Sequence, residues 1–220
     1  MDTLAALALA TEPPSDELLL LKPNTRYEKV INSTMWRNIF GHAIYQVVVV
    51  MTFLYAGVGI FNLQDYDKDE PFFVDENWVN DLLTRPENAS MEQTSPTCWK
   101  LAKQARDSGI YDTPTAKCTL YTLVFQVFVM MTVFNIINAR KLGDKDFNVF
   151  RNFFNNSKFI GILMFIIGVQ VWMCQNGGMW TRTSPLTLRQ HLIVGAFAAF
   201  ELVWGLVIKK FLPSHLFDRF

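Results

Sequence analysis

The sequence predicts an all-α integral membrane protein: a bundle of four transmembrane helices, a short N-terminal helix and one long extracytoplasmic loop. Half of the 220 residues are hydrophobic, and the apolar residues fall in four blocks separated by charged stretches. Lys and Arg number 20, as do Asp and Glu. This balance argues against nucleic-acid binding, which needs a basic surface. Buried core helices of a soluble protein are the alternative, which blocks of this length disfavour.

The N-terminal helix is predicted within residues 1–38, the rest of which is expected to form a cytosolic loop. Asp2 is followed by a short run of helix-forming residues that ends before Pro13-Pro14. By local rules, Asp2 is the N-cap, whose carboxylate accepts hydrogen bonds from the first turn. The stretch is too short and too acidic for a secretory signal peptide.

The four apolar blocks have the length that membrane spans need. Residues 39–61 and 120–139 contain no Asp, Glu, Lys or Arg. The third block is shorter, and its span is expected at 159–175, while the fourth is expected at 191–210 with one acid, Glu201. Because a helix rises 1.5 Å per residue, about 20 residues cross a hydrocarbon core of about 30 Å.

Basic residues predict that both termini face the cytosol. Twelve Lys and Arg residues lie in 11–38, in 140–158 and in 209–220. Short cytoplasmic segments carry such an excess. The segments 1–38, 140–158 and 211–220 are therefore expected in the cytosol, and 62–119 and 176–190 outside it.

The long outer loop, 62–119, holds eleven acids, which either gather cations or form a solvated face. Cys98 and Cys118 are candidates for a disulfide, with two free thiols as the alternative. Asn88 begins an Asn-Ala-Ser glycosylation sequon. Three histidines far apart in sequence and no P-loop, HExxH, GxSxG or CxxC motif give no catalytic constellation.

Several polar residues lie inside the predicted spans. Glu201 is expected to be protonated, hydrogen-bonded to a neighbouring helix or part of an ion path. His42 and Gln46 share one helical face, as do Asn135 and Asn138. Interhelical hydrogen bonding is the simplest role for each of them. The four spans alone do not hold the six to eight oxygen ligands that calcium requires.

Five stretches are the most informative for identifying a family: "MDTLAALALATEPPSDELLLLKP", "TMWRNIFGHAIYQ", "VFVMMTVFNIINARK", "NVFRNFFNNSKF" and "SPLTLRQHLIVGAFAAFELVWG". These stretches resemble the plasma-membrane-type calcium-transporting ATPases of the P-type family. They resemble, in order, the end of the sixth membrane helix with its cytosolic loop, and parts of helices seven to ten. The resemblance covers nearly the whole chain except loop 62–119.

The resemblance implies a second role for Asp2. The Asp of the family's matching "MDT" coordinates calcium from an unwound part of the sixth helix, and carboxylates suit this ion. Thr132 stands where animal pumps have Gln, and is a weak candidate ligand with one neutral oxygen. Ile136 replaces an acid common in the animal versions. These changes imply one transported calcium ion per cycle.

The resemblance therefore implies the C-terminal membrane portion of an ATP-driven calcium pump that scaffolds the ion-binding helices. The DKTGT and TGES motifs of the family are absent from the 220 residues. We thus expect a fragment, inactive alone, whose partners are the lipid bilayer and the remaining helices and cytosolic domains of a pump. ATP and magnesium would bind only in the intact pump, and the plasma membrane is favoured over an internal store.

Two other functions fit the same span count. One is a stand-alone four-span protein of structural or adhesion type, similar to claudins, although their tight Trp and Cys pattern is missing. The other is a regulatory partner of an intact pump. Whether this chain is part of an enzyme depends on which of these three functions it has.

The predicted orientation leads to a glycosylation test. Expression in microsomes should give one glycan, removable by glycosidase, which is lost in Asn88→Gln because loop 62–119 faces the lumen. Asn155→Gln should leave the electrophoretic mobility unchanged, since its sequon lies on the cytosolic side. A glycan on Asn155 would invert the predicted topology.

Overall fold

The computed structural model describes residues 2–10, 32–63, 66, 71–84, 96–140, 153 and 156–211. Its elements are, in chain order, α1 (Asp2–Ala10), α2 (Ser33–Ile60), β1 (Phe73–Val74), α3 (Glu76–Thr84), α4 (Pro96–Ser108), β2 (Thr113–Pro114), α5 (Ala116–Ala139), α6 (Ser157–Asn176), α7 (Gly178–Thr181) and α8 (Leu188–Phe211). The prediction of an all-α membrane fold is confirmed, and the two strands form a minor two-stranded sheet.

Four helices are long and apolar enough to cross a membrane: α2, α5, α6 and α8, with 28, 24, 20 and 24 residues. Even the 20-residue α6 is about 30 Å long, which matches a hydrocarbon core. Each of the four begins two to six residues before one of the predicted spans. Three of them contain the whole span, and α2 ends one residue before the end of 39–61. The short N-terminal helix predicted from the sequence is present as α1.

Polar caps, rather than the edges of the apolar blocks, set where these helices begin. The side chain of Asn156 accepts from the backbone N of Phe159 at 3.2 Å, and α6 therefore starts at Ser157. Thr187 and Gln190 cap α8 reciprocally: Gln190 N donates to Thr187 Oγ1, and Thr187 N to Gln190 Oε1. Asn32 and Thr115 accept from the first turns of α2 and α5 in the same way.

The chain forms two compact units, each of which takes part of every long helix. The first unit comprises Met1–Val48, Val129–Val169 and Gly195–Phe220. Its core joins Ala8 of α1 to buried side chains of α5 and α6, among them Ile136 and Phe159. Arg140 lies over the Phe159 ring at 4.8 Å, a cation–π contact that helps a charged group remain buried there.

The second unit comprises Val49–Phe128 and Gln170–Val194. It includes a small folded module within loop 62–119, which the sequence had suggested only as a long loop. Strands β1 and β2 pair antiparallel, with Phe73 opposite Pro114 and Val74 opposite Thr113. Helices α3 and α4 pack on them around a buried cluster: Val74, Val79, Leu82, Cys98, Ala102 and Ala105. The Asp75 carboxylate caps α3 by accepting from Trp78 N at 2.6 Å.

Thr115 fastens this module to the first turn of α5. Its hydroxyl donates to the Pro71 carbonyl oxygen at 2.7 Å, and its backbone N donates to Phe72 O at 3.2 Å. The same Oγ1 accepts from Cys118 N. One residue thus closes the two-stranded ribbon and starts the membrane helix, so the described part of the loop is held against α5.

Candidate functional site

Glu201 is the centre of a buried polar contact in the first unit. Its side chain is fully buried, although it lies in the middle of the apolar helix α8. Oε1 accepts from Gln46 Nε2 at 2.9 Å and lies 3.2 Å from His42 Nδ1. Oε2 has no hydrogen-bond partner among the residues that the structure describes.

Helical spacing brings these three side chains together. His42 and Gln46 are four residues apart and therefore project from one face of α2. Of the alternatives left open by the sequence for Glu201, hydrogen bonding to a neighbouring helix is confirmed. A buried carboxyl inside a membrane helix is costly, so partners on the facing helix are what make it tolerable there.

Two further contacts extend the seam between α2 and α8. The Tyr45 hydroxyl donates to the Phe197 carbonyl oxygen at 2.7 Å, and Trp204 Nε1 donates to the Gly41 carbonyl oxygen at 3.0 Å. Both pairs bridge the same faces as the Glu201 contacts, because 197, 201 and 204 follow each other at helical spacing. We name the set of Gly41, His42, Tyr45 and Gln46 on α2 and Phe197, Glu201 and Trp204 on α8 the polar seam.

Helix α5 joins the polar seam through Asn138. Its Nδ2 donates to the Glu201 backbone carbonyl at 3.2 Å, and its side chain lies directly beside Gly205. Asn135, which the sequence places on the same face, is half-buried and lines a neighbouring cavity. The two asparagines differ because Asn138 faces the glycine of α8, where the missing side chain leaves room for its amide.

The cavity has a volume of about 220 Å³ and a mixed lining. Its polar lining residues are Asn38, His42, Asn135, Asn138 and Lys209, and its apolar ones are Met35, Ile39, Ala139 and Gly205. It could hold several water molecules. His42 belongs both to the cavity and to the polar seam, so it connects Glu201 with this space.

The two candidate calcium ligands lie on different helices of the first unit. Asp2 is the first residue of α1, and its side chain is outside the described part of the structure. Thr132 is half-buried on α5. Within the described ranges, no three His, Cys, Asp or Glu side chains converge as a metal site would require. Both assignments remain predictions.

A second buried group of polar side chains lies in the second unit. The sequence alone did not indicate that these side chains contact one another. Gln170 Nε2 donates to Gln126 Oε1 at 3.0 Å, and the Cys174 thiol donates to the same oxygen at 3.0 Å. All three side chains are buried. This group links α5 to α6, and the four-residue spacing of Gln170 and Cys174 is the signal that could have indicated a shared face.

The predicted Cys98–Cys118 disulfide is not present. Cys118 is a buried thiol that donates to the Arg182 carbonyl oxygen at 3.6 Å. Cys98 lies instead inside the apolar cluster of the small module within residues 62–119. The two cysteines therefore have different neighbours. The sequence had suggested them as a pair only because both lie in one predicted loop. Asn88, the predicted glycosylation site, falls outside the described residues.

Hydroxyl groups hold the segment after α7 to the start of α5. The Thr119 hydroxyl donates to Ser184 Oγ at 2.9 Å, and Ser184 N donates to Thr122 Oγ1 at 3.0 Å. Arg182 nearby has a positive φ of 51°, which turns the chain after α7. These contacts order the second predicted outer segment, 176–190, within the second unit.

The apolar helices and their buried interhelical hydrogen bonds define a polytopic helical membrane protein. The family model described as "Cation transporting ATPase, C-terminus" matches residues 1–211, and the chain belongs to this family. The resemblance seen in the sequence is therefore confirmed. Neither the stand-alone adhesion-type protein nor the regulatory partner is supported.

Named relatives agree with this family. The chain is 36% identical over 217 residues to "Plasma membrane calcium-transporting ATPase 1" of Gallus gallus, with 98% of this chain and 14% of the relative covered. It is 35% identical to "Plasma membrane calcium-transporting ATPase 3" of Homo sapiens, with the same coverage. It is 34% identical to "Plasma membrane calcium-transporting ATPase 2" of Oreochromis mossambicus, and this match covers 98% of this chain and 16% of the relative. The chain thus spans about one seventh of the length of these relatives.

The close approach at Gly205 gives a test of the polar seam. A Cβ added there would lie 2.8 Å from Asn138 Nδ2 and 3.0 Å from its Cγ. Gly205→Ala should displace the amide and lower the free energy of unfolding in detergent micelles by about 1–3 kcal/mol. Thermal unfolding followed by circular dichroism measures this change.

Gly195→Ala is the matched control on the same helix, since a Cβ at that position meets no atom within 4 Å. It should be neutral or stabilising by up to about 1 kcal/mol, because alanine favours a helix over glycine. Equal effects of the two substitutions would contradict the described contact between Gly205 and Asn138.

Proposed function

We propose that the chain forms the C-terminal transmembrane part of an ATP-driven calcium pump of the plasma membrane. The observation that carries the proposal is similarity over 98% of this chain to proteins named plasma membrane calcium-transporting ATPases. In this role the four long helices lie in the lipid bilayer and contact the other membrane helices of the pump. ATP and magnesium bind to cytosolic domains that contain the phosphorylation motif.

The first unit is suited to supporting an ion-binding helix. Ala8 of α1 is buried against α5 and α6, so the helix that begins at Asp2 is packed against two long membrane helices. The polar seam joins α2 to α8, and Asn138 ties α5 to the same place. This arrangement lets a change in the position of α1 reach the helices that pack against it.

Asp2 is the residue that we propose as a calcium ligand. It is the first residue of α1, the short helix that packs on α5 and α6 through Ala8. A carboxylate is a hard, charged oxygen donor, which is the kind of ligand that calcium prefers. Thr132 on α5 offers a neutral hydroxyl, so we propose that it has at most a supporting role.

The apolar residue at 136 agrees with this reduced set of ligands. Ile136 is buried in the apolar core of the first unit together with Phe159 and Leu163. The aliphatic side chain of Ile136 supplies no oxygen ligand for calcium at this position of α5. We therefore propose that α5 serves chiefly for packing and that the pump transports one calcium ion per cycle.

A chimeric pump tests the proposal. The matching C-terminal part of the chicken relative is replaced by this chain, and ATP-dependent calcium uptake is measured in inside-out membrane vesicles. The chimera should transport calcium, and Asp2→Asn should abolish transport and calcium-dependent phosphorylation, because the amide lacks the negative charge of the ligand.

Asp107→Asn serves as the control, since Asp107 is exposed at the end of α4 and contacts only the neighbouring Arg106 among its described ion pairs. It should leave uptake unchanged. Uptake by the Asp2→Asn chimera at the parental rate and calcium dependence would refute the ligand assignment. A chimera that reaches the membrane and takes up no calcium would count against the pump function itself.

A further inference from the structure

His42 lies beside Glu201 and also lines the cavity. Hydrogen bonding between the helices does not require this second position. We propose that Glu201 is a buried proton-binding site in the membrane, loaded from the cavity through the His42 imidazole. The bound species is a proton, and neither the calcium ligand nor the pump function proposed above is needed for this inference.

The surroundings of Glu201 favour the neutral acid. The side chain is fully buried, and only one of its two oxygens finds partners among the described residues. As an anion, Glu201 would leave a negatively charged oxygen, Oε2, without a hydrogen bond inside a membrane helix. As an acid, it leaves only a neutral carbonyl oxygen unpaired, and an unpaired neutral group costs much less than an unpaired charge.

The observed distances fit an acid whose proton lies on Oε1. In this state Oε1–H donates to His42 Nδ1, which lies at 3.2 Å. The same oxygen accepts from Gln46 Nε2 at 2.9 Å. Oε2 is then the carbonyl oxygen, which explains why it lacks a donor without requiring a charge. Gln46 fixes the carboxyl so that Oε1 faces the imidazole.

His42 provides the route to the cavity. Nδ1 lies on Glu201, and the imidazole also lines the cavity of about 220 Å³. This leaves Nε2 as the ring atom that can exchange protons with water in that space. Asn38, Asn135 and Asn138 line the same cavity and can hydrogen-bond to such water without titrating.

The loading step transfers one proton from the cavity to Glu201 and leaves His42 neutral. Nε2 of neutral His42 binds a proton from cavity water, and the proton on Nδ1 then passes to Oε1 of the Glu201 carboxylate. The imidazole is again neutral, now with its hydrogen on Nε2, and Glu201 has become the acid. Unloading is the reverse of these transfers.

The first unit contains other ionisable groups besides Glu201 and His42. On the described parts of its helices they are Asp2, Arg37, Tyr45, Arg140, Lys158, Lys209 and Lys210. Tyr45 donates to the Phe197 carbonyl, Arg140 lies over the Phe159 ring and Lys209 lines the cavity. Lys209 is the charged residue in the lining of the cavity, and the lining contains no acid among the described residues.

Infrared spectroscopy of the 220-residue chain in lipid nanodiscs tests the proposal. At neutral pH the spectrum should contain the carbonyl band of a protonated carboxylic acid without a hydrogen bond to its carbonyl oxygen. The band should disappear in Glu201→Gln and on titration to alkaline pH. Glu76→Gln, at an exposed acid of α3, should leave it unchanged.

His42→Gln tests the loading route separately. Its amide can still hydrogen-bond to Glu201 but cannot relay a proton. The acid band should therefore remain, while its shift on transfer into D₂O should slow by about 100-fold. Exchange at the wild-type rate would refute the route through His42.

Circular dichroism of each variant in nanodiscs identifies any that fails to fold. If Glu201→Gln were one of these, the alkaline titration of the wild type and the exchange rate of His42→Gln would still decide the question. A wild-type spectrum without the acid band at neutral pH, or a band that survives in folded Glu201→Gln, would overturn the proposal.

Discussion

The burial of one carboxyl group within a membrane helix constrains the rest of the first unit. Glu201 is fully buried on α8, and no lipid can hydrogen-bond to it. Its Oε1 therefore needs hydrogen-bond partners from another helix, and α2 provides them through His42 and Gln46. This requirement fixes which face of α2 meets α8. Apolar packing alone would allow many rotations of two helices that are both surrounded by lipid, because it does not distinguish one apolar face from another.

The remaining contacts of the first unit follow from that fixed rotation. Once His42 faces Glu201, the neighbouring turns place Gly41 against Trp204 and Tyr45 against Phe197. Gly205 lies one turn beyond Glu201 and lets Asn138 of α5 approach closely enough to bond to the Glu201 carbonyl. Three helices thus meet around one acid. The short helix α1, which begins at Asp2, then packs through Ala8 on α5 and α6. These two helices therefore hold α1 in place.

Local features of the sequence predict the spans well and their partners poorly. Apolar length indicates α2, α5, α6 and α8, whereas the starting residues depend on caps such as Asn156 and Thr187 that a hydropathy pattern ignores. The shared face of His42 and Gln46 is visible in the sequence, but their partner lies more than 150 residues away. Asn135 and Asn138 also look equivalent in the sequence, but only Asn138 lies beside Gly205 and hydrogen-bonds to the Glu201 carbonyl among the described contacts. The outer module depends on two-residue strands, which carry almost no local signal, although the spacing of Val79 and Leu82 marks one face of α3.

The coupling between His42 and Glu201 is the most direct measure of whether the polar seam holds α2 against α8. A double-mutant cycle with His42→Leu, Glu201→Leu and the combined variant, followed by unfolding in detergent micelles, isolates the contact from the cost of each substitution. The account predicts a favourable coupling of at least about 0.5 kcal/mol, the scale of interhelical hydrogen bonds in membrane proteins. Strictly additive effects of the two substitutions would contradict it, because the two side chains would then not depend on each other for stability.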